Sequence, residues 1–359
     1  MLRLATAPPA TPWLRPAFGL EGRSTQALLG VIGYAIASIF VAVLAGIWEL
    51  SLVERAIALL APPVVFLALV TAKSRLSGRD WIVLFPIAWT AVALVAALAF
   101  VLDLALGRML DVVVLGIAVF VALGRVGCLH RGCCHGVLAR RGIVYGQEHV
   151  GLGIWPRFAG RRVLPVQAVE AAGTLALAIV AVLLDDTPGT AAVVVASGYA
   201  VLRFAVELGR GDIDRRFLAG LSDGQWGCLA TAAVCAAVRP SIGTLASLGV
   251  LVVAATHLVV MRHRSELVAP AHLAELDELI DDVMLDSRRR ARTTRAGVTI
   301  ACRALDDGRI AWTFTASHRA WSEATARRIA STLWEAARVT PGPAPGSFEV
   351  LVTPRWVTT

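Results

Sequence analysis

Apolar residues in this chain come in blocks of about 20, the length that crosses the hydrocarbon core of a bilayer. Eight such blocks run roughly over 26–49, 52–72, 81–104, 109–127, 166–184, 189–209, 222–238 and 242–261. Several adjacent blocks lack the polar face that a helix on the surface of a soluble bundle needs. Charged residues make up only 17% of the chain, against about 25% in an ordinary soluble domain. The expected fold class is therefore an all-α polytopic membrane protein with 7–8 transmembrane helices. The second block contains Pro62 and Pro63, where a kink is expected. The seventh is the weakest, a short stretch between Asp223 and Arg239-Pro240. Seven spans with one long broken helix is the alternative.

Outside the blocks the composition changes twice. Residues 1–25 are rich in Pro and Ala, with no apolar core or small-residue cleavage site, and read as a disordered N-terminal tail rather than a signal peptide. The membrane domain is placed at 26–264. Residues 265–359 have balanced charge and soluble patterning, enough for a small α+β domain that folds alone. An acidic amphipathic helix is expected over 271–285 and a second helix from Ser322 to about Val339. Strands are expected over 297–303, 309–315 and 348–353, with Asp306-Asp307-Gly308 as the turn between the first two. No binding partner for this domain can be named.

The net charge of +8 comes almost wholly from arginine, Lys73 being the only lysine. The arginines sit between apolar blocks rather than in a basic run interleaved with aromatics, so the partner is a membrane of anionic lipid and not nucleic acid. Within the sixth block, Tyr199, Arg203, Glu207 and Arg210 are spaced four, four and three apart and share one helical face. Ionisable groups at membrane depth are costly and are usually functional or paired. Two readings follow, a structural Arg203–Glu207 ion pair or an anion site in which a guanidinium grips a phosphate. Arg125, flanked by Gly124 and Gly127 near the end of the fourth block, supplies a second arginine at about headgroup depth. The glycines would let backbone approach closely, and the two arginines form a plausible clamp for a phospholipid phosphate.

Four separate motifs then fall in register. Gly124-Arg125-Val126-Gly127 is followed by Gly136 eleven residues after the arginine, Pro165-Val166-Gln167 by Glu170, and Tyr199-x-x-x-Arg203 by Glu207 and Arg210. Ser222-x-Gly224-Gln225 comes last. Together these resemble the signature segments of the prolipoprotein diacylglyceryl transferase family over about residues 108–230. The resemblance implies a multi-pass protein of the inner (plasma) membrane. It implies transfer of a diacylglyceryl group from phosphatidylglycerol to the lipobox cysteine of a prolipoprotein, with release of glycerol phosphate and no cofactor. It implies that Arg125 and Arg203 bind the phosphate and stabilise its developing charge. Tyr199 would orient the headgroup, with Gly124, Gly127, Gly136 and Gln167 shaping the site. Glu170, Glu207 and Arg210 would support the arginines.

The chain departs from the family at the proposed base. Where the family carries a His-Gly-Gly, this chain has Phe85-Pro86-Ile87-Ala88. Cys128 and Cys133 replace an asparagine and an acidic residue, and Leu164 replaces the histidine before Pro-x-Gln. The loop instead reads Cys128-x-His130-x-x-Cys133-Cys134-His135. His130 or His135 could take the place of the missing base, since imidazole titrates near neutrality. The cysteines admit four readings: a metal site, a disulfide or redox pair, small structural thiols, or a catalytic thiol. A non-enzymatic lipid-binding module, and a Cys/His metal or redox membrane protein, stand as alternatives to the enzyme. Orientation signals disagree: the excess of arginine places the N-terminus, the long loop and the C-terminal domain inside, whereas the family places its catalytic face outside.

Overall fold

The computed structural model describes residues 11, 22–77, 84–150, 152, 154, 158–211, 217–219, 221–263, 266–285, 291–306, 309–316, 321–334 and 337–352. The expected N-terminal tail lies outside these residues up to position 21, Thr11 apart, as do Asp307 and Gly308 of the expected turn.

Each of the eight apolar blocks forms a helix. They are α1 (Gly22–Ile47), α2 (Leu52–Ser77), α3 (Leu84–Val101), α4 (Leu106–Arg131), α5 (Val166–Leu183), α6 (Thr190–Gly209), α7 (Asp223–Val238) and α8 (Ile242–His263). Six of these, α1, α2, α4, α5, α6 and α8, are long and apolar enough to cross a membrane, while α3 and α7 are shorter. The protein is thus a mostly helical multi-pass membrane protein. α2 runs through Pro62 and Pro63 as one helix.

The chain divides into two compact units, one of residues 8–212 and 224–253, the other of residues 1–7, 213–223 and 254–359. In the first unit α4 is the central helix, packed against α1, α3, α5 and α6. Met109, Val112, Leu115 and Ala118 of α4 lie in a core shared with Val41 and Leu44 of α1, Ala178 of α5 and Val195 of α6. Apolar side chains such as Val31, Ile39, Leu60 and Leu67 face outward from α1 and α2, as the surface of a lipid-embedded helix does. α5 and α6 approach through glycines. A Cβ on Gly173 would stand 2.7 Å from Leu202, and one on Gly198 would stand 2.5 Å from Leu177.

Two carboxylates fix the helix starts. Ser51 and Glu54 form a reciprocal capping box at the start of α2, and the other oxygen of Glu54 accepts the Ala105 N–H at 2.7 Å, just before α4. Asp111, fully buried on α4, accepts the Gly189 and Ala192 N–H groups at 2.7 and 2.8 Å and so caps α6 from another helix. Arg108 pairs with Asp111 and Asp185 and lies over the Trp48 ring, 4.8 Å from its centroid.

The long polar segment between α4 and α5 is folded, not a loop. α4 continues to Arg131, where Gly132 (φ 84°) turns the chain in the left-handed region. Then β1 (Leu138–Val144) pairs antiparallel with β2 (Arg162–Val163) over a small core of Leu129, Ile143, Tyr145, Ile154, Phe158 and Val163. The alternation was hidden because β1 contains Arg140, Arg141 and Gly142.

The second unit holds the two-residue ribbon β3 (Phe217–Leu218) with β4 (Leu221–Ser222), then α9 (Pro270–Leu285) and a five-stranded antiparallel sheet. Its strands are β5 (Arg292–Thr293), β6 (Val298–Ala304), β7 (Ile310–Ala316), β8 (Arg338–Pro341) and β9 (Ser347–Val352), in the order β5-β6-β7-β9-β8. Ile300, Phe314 and Phe348 stand in register across the sheet. With Trp312 and Val350 they pack on Leu276 and Ile280 of α9 and on Ile329 and Leu333 of α10 (Glu323–Leu333). The expected helix from Ser322 begins with that residue as its cap, Ser322 Oγ accepting the Thr325 N–H. It ends at Leu333 instead of near Val339, because Arg338–Pro341 joins β9 as an edge strand. Four- and two-residue strands carry too little alternation to be read from sequence, so the expected three strands are five.

Candidate functional site

The site is built on α4, α5, α6 and the start of α7. Arg125 lies one turn and a half from the end of α4, Glu170 in the first turns of α5, and Tyr199, Arg203 and Glu207 on one face of α6, with Arg210 just past its end. Glu170 is 1% exposed and is the point of convergence. Its Oε2 meets Arg125 Nε at 2.9 Å and Arg203 Nη1 at 3.1 Å, and its Oε1 accepts the Tyr199 hydroxyl at 2.6 Å. Arg203 also pairs with Glu207, whose Oε1 accepts from Arg210 Nη1 at 2.6 Å. The carboxylate of Glu207 in turn packs against Gly224 in the first turn of α7, where a Cβ would lie 3.0 Å from Oε1. Both guanidinium groups singled out in the sequence thus meet one carboxylate oxygen, and the structural ion pair and the paired arginines coexist in one network.

Arg125, Arg203 and Arg210 thus share the carboxylates of Glu170 and Glu207 in one largely buried network. Arg125 keeps 12% of its side chain exposed and Arg210 11%. Guanidinium groups fixed in this way, and still partly exposed, are preorganised donors for an anion.

Beside the arginines stands the cysteine turn. Gly132 and Cys134 (φ 54°) both take the left-handed backbone conformation, which is uncommon for a side chain such as cysteine. The chain after Cys134 is clamped to the end of α6: Gly211 N–H donates to His135 O and Val137 N–H to Gly209 O, both at 2.9 Å, and Gly136 bridges Arg210. Gly136 is required there, since a Cβ would sit 2.2 Å from the Leu164 carbonyl oxygen. Gln167 does not join the arginines; its amide donates to the Cys133 carbonyl at 2.8 Å and to the Tyr145 hydroxyl at 3.4 Å, which holds the turn in place. Gly127 packs on Gln26, and a Cβ on Gly124 would meet open space, so Gly124 is not explained by a close approach.

Cys128, Cys133 and Cys134 are free, partly exposed thiols that hydrogen-bond one another. Hydrogen bonds from the Cys128 and Cys133 thiols, and then the charges of Arg210 and Arg125, hold the Cys134 thiol well below the ordinary value. Hydrogen bonds to Cys128 and Cys134, and then desolvation, push its partner Cys133 well up. Among the described residues no group of three or more His, Cys, Asp or Glu side chains is arranged to hold a metal ion. Of the two histidines considered as bases, His135 is fully buried, with its ring 4.6 Å from that of Phe158 and its Nδ1 3.0 Å from Gly136 O. His130 is half-buried in the last turn of α4.

Gln26, on α1, was not foreseen. Its amide nitrogen reaches Cys128 Sγ at 3.7 Å and Cys133 Sγ at 4.0 Å, and its oxygen accepts from Arg131 Nη1 at 2.7 Å. The one signal in the sequence is an amide at the entrance of an apolar block. Asp111 sits in the signature segment, yet its contacts are with helix ends and not with the arginines.

Residues 88–239 match the family model described as prolipoprotein diacylglyceryl transferase. The matched stretch contains α4 to α7 and every residue of the arginine–carboxylate network. No curated protein and no solved structure matches the chain.

Proposed function

We propose, on the premise that residues 88–239 are a segment of the prolipoprotein diacylglyceryl transferase family, that the chain moves a diacylglyceryl group from an anionic phospholipid, phosphatidylglycerol, to the lipobox cysteine of a prolipoprotein. The single observation behind this reading is the convergence of Arg125 of α4 and Arg203 of α6 on one oxygen of Glu170, with the Arg125 side chain still partly exposed. Two guanidinium groups held side by side offer N–H donors in the geometry that a phosphodiester's oxygens accept.

In this reading the donor phosphate lies against Arg125 and Arg203, while Tyr199 orients the headgroup. The acceptor sulfur attacks the glycerol carbon bonded to the phosphate oxygen. As the C–O bond breaks, negative charge grows on the leaving glycerol phosphate. Preorganised guanidinium donors stabilise that charge most where water is excluded. Glu170, Glu207 and Arg210 fix the two arginines, so little reorganisation is needed when the charge appears. The protein acts in the inner membrane, on the face where donor headgroup and acceptor meet.

The test is complementation. A strain depleted of its own lipoprotein diacylglyceryl transferase should recover lipid-modified lipoproteins, read as a mass increase, when given this chain but not its Arg203→Ala variant. Growth with unmodified lipoproteins would favour a lipid-binding module instead.

A further inference from the structure

Residues 132–165 carry five arginines and a single acidic residue, Glu148, which lies 3.6 Å from His149. Three of the arginines, Arg140, Arg141 and Arg162, are exposed on the β1–β2 ribbon, and among the described residues they have no carboxylate partner. The arginine–carboxylate network does not use them. We propose that this ribbon is a docking surface for anionic phospholipid. The three arginines engage headgroup phosphates at a place separate from Arg125 and Arg203, and Val137 and Leu164 meet the acyl chains beneath.

Leu138 and Ile143 both pair with Val163, and Val144 pairs with Arg162, so residues 139–142 bulge out of β1. A Cβ on Gly142 would stand 2.2 Å from the Val163 carbonyl oxygen, so only glycine lets the bulge cross β2 there. Arg140 and Arg141 before it are exposed, while Ile143 and Val163 enter the small core under the ribbon. The base of the ribbon is fastened to the helix ends. Val137 N–H donates to Gly209 O and Leu164 N–H to Val137 O, both at 2.9 Å. A Cβ on Gly209 would lie 3.1 Å from Leu164 Cδ2 and 3.2 Å from Val166, which puts Leu164 at the seam between the end of α6 and the start of α5. Val137 and Leu164 are nonetheless 39% and 36% exposed. Val169, one turn into α5, and Leu208, the residue before Gly209, are exposed as well. The outward apolar surface of the helices therefore runs onto the base of the ribbon, with the arginines beyond it.

This order suits a membrane boundary. The headgroup zone is about 5–8 Å deep on each side of the hydrocarbon core. Arg140 and Arg141 come three and four residues after Val137, at most about 14 Å along an extended chain. A ribbon leaving the hydrocarbon edge at Val137 thus carries its arginines into or just above the headgroups, and their long stems let the guanidinium groups reach back. Guanidinium groups take phosphate oxygens in paired hydrogen bonds, and each basic residue near an anionic surface strengthens the attraction about fivefold. The docking needs only negative headgroups in the leaflet that the ribbon faces, so it holds for either orientation. Its consequence for turnover rests on the transferase reading above. Gly136, just before the ribbon, bridges Arg210, so lipid gathered here is held beside the network. Such gathering raises the local concentration of donor and acts on KM, leaving the bond-breaking step as it is.

The test uses the full chain in nanodiscs of phosphatidylcholine with a trace of photoactivatable phosphatidylglycerol or of photoactivatable phosphatidylcholine. Labelled peptides are mapped by mass spectrometry. At low salt, peptides covering 137–144 and 162–164 should take the anionic tracer at least about tenfold over the zwitterionic one, below the ceiling of about 100-fold for three arginines at about fivefold each. The preference should shrink toward parity at about 1 M NaCl, where the screening length is about 3 Å. The combined change Arg140→Gln, Arg141→Gln and Arg162→Gln should abolish it, and the matching triple change to Lys should keep most of it. Equal labelling by the two tracers in the wild type, a preference that ignores salt, or one that survives the glutamine variant overturns the proposal. So does labelling by water-soluble photoactivatable glycerol phosphate in place of lipid, which would mark a site for free anions. The salt series on the wild type decides the matter even where the glutamine variant does not fold. A second arm measures glycerol phosphate release. The glutamine variant should raise the apparent KM for phosphatidylglycerol at least about fivefold, with kcat within about twofold of the wild type. An unchanged KM overturns the gathering role and leaves the docking to the labelling arm. If the wild type releases no glycerol phosphate, the transferase reading fails, while the labelling still decides the docking.

Discussion

Glu170→Gln tests the charge balance without changing the shape of the site. Glu170 accepts from Tyr199 at 2.6 Å and from Arg125 and Arg203 at 2.9 and 3.1 Å. A glutamine keeps one acceptor oxygen but turns an NH2 toward either the tyrosine or the arginines, and it removes one negative charge from the network. Removing one partner of a buried ion pair costs about 3–5 kcal/mol, chiefly by leaving the other charge uncompensated. A bound phosphodiester offsets that cost. A ligand specific to the folded state adds about 2.7 kcal/mol when present at a hundredfold its Kd. The assay is thermal unfolding of the detergent-solubilised protein with and without short-chain phosphatidylglycerol. The variant should unfold at a lower temperature without lipid and recover more than the wild type gains when lipid is added. An unchanged midpoint, or equal stabilisation of both proteins, would refute the reasoning.

Three further outcomes are expected. Asp111→Ala removes the acceptor for the Gly189 and Ala192 N–H groups at the start of α6; it should lower stability by about 1–2 kcal/mol with headgroup preference retained, and an unchanged unfolding midpoint would deny it a capping role. Trp312→Ala, at a position 2% exposed among Phe314, Trp334 and Ile300, should cost about 3–5 kcal/mol, and hydrogen exchange in β6, β7 and β9 should speed up while that of α4 does not. A membrane-impermeant maleimide should reach the Cys133-Cys134 turn, chiefly at Cys134, from the outer face in right-side-out vesicles, as the family's orientation requires. Labelling from the inner face alone would side with the arginine distribution.

The parts of this protein legible in its sequence are those set by one physical rule each. Hydrocarbon thickness accounts for the six helices long enough to cross a bilayer, and the spacing of four puts Tyr199, Arg203 and Glu207 on one face of α6, with Arg210 just past its end. What stayed hidden depends on contacts between distant residues. Nothing local marks Asp111 as the cap of a helix that begins about 80 positions later, or Gln26 as a neighbour of Cys128. Gln167 was grouped with the headgroup site through its motif, whereas its amide holds the cysteine turn. The segment after α4 looked like a loop because Arg140 and Arg141 interrupt its apolar pattern, and pairing with a two-residue strand leaves little trace in sequence. The expected helix overran into Arg338 and Val339 of β8 for the same reason: a four-residue strand adopts whichever state its neighbours impose.

The claim at the centre of this account is that Arg125 and Arg203 act together on one lipid phosphate. The direct measurement is glycerol phosphate released by the purified chain from phosphatidylglycerol in the presence of a lipobox peptide. The account predicts release from the wild type and a loss of about 10²–10³-fold for Arg125→Ala or Arg203→Ala, the usual cost of removing one preorganised donor to a developing charge. Release at the wild-type rate from either variant, or from phosphatidylcholine as readily as from phosphatidylglycerol, would contradict it.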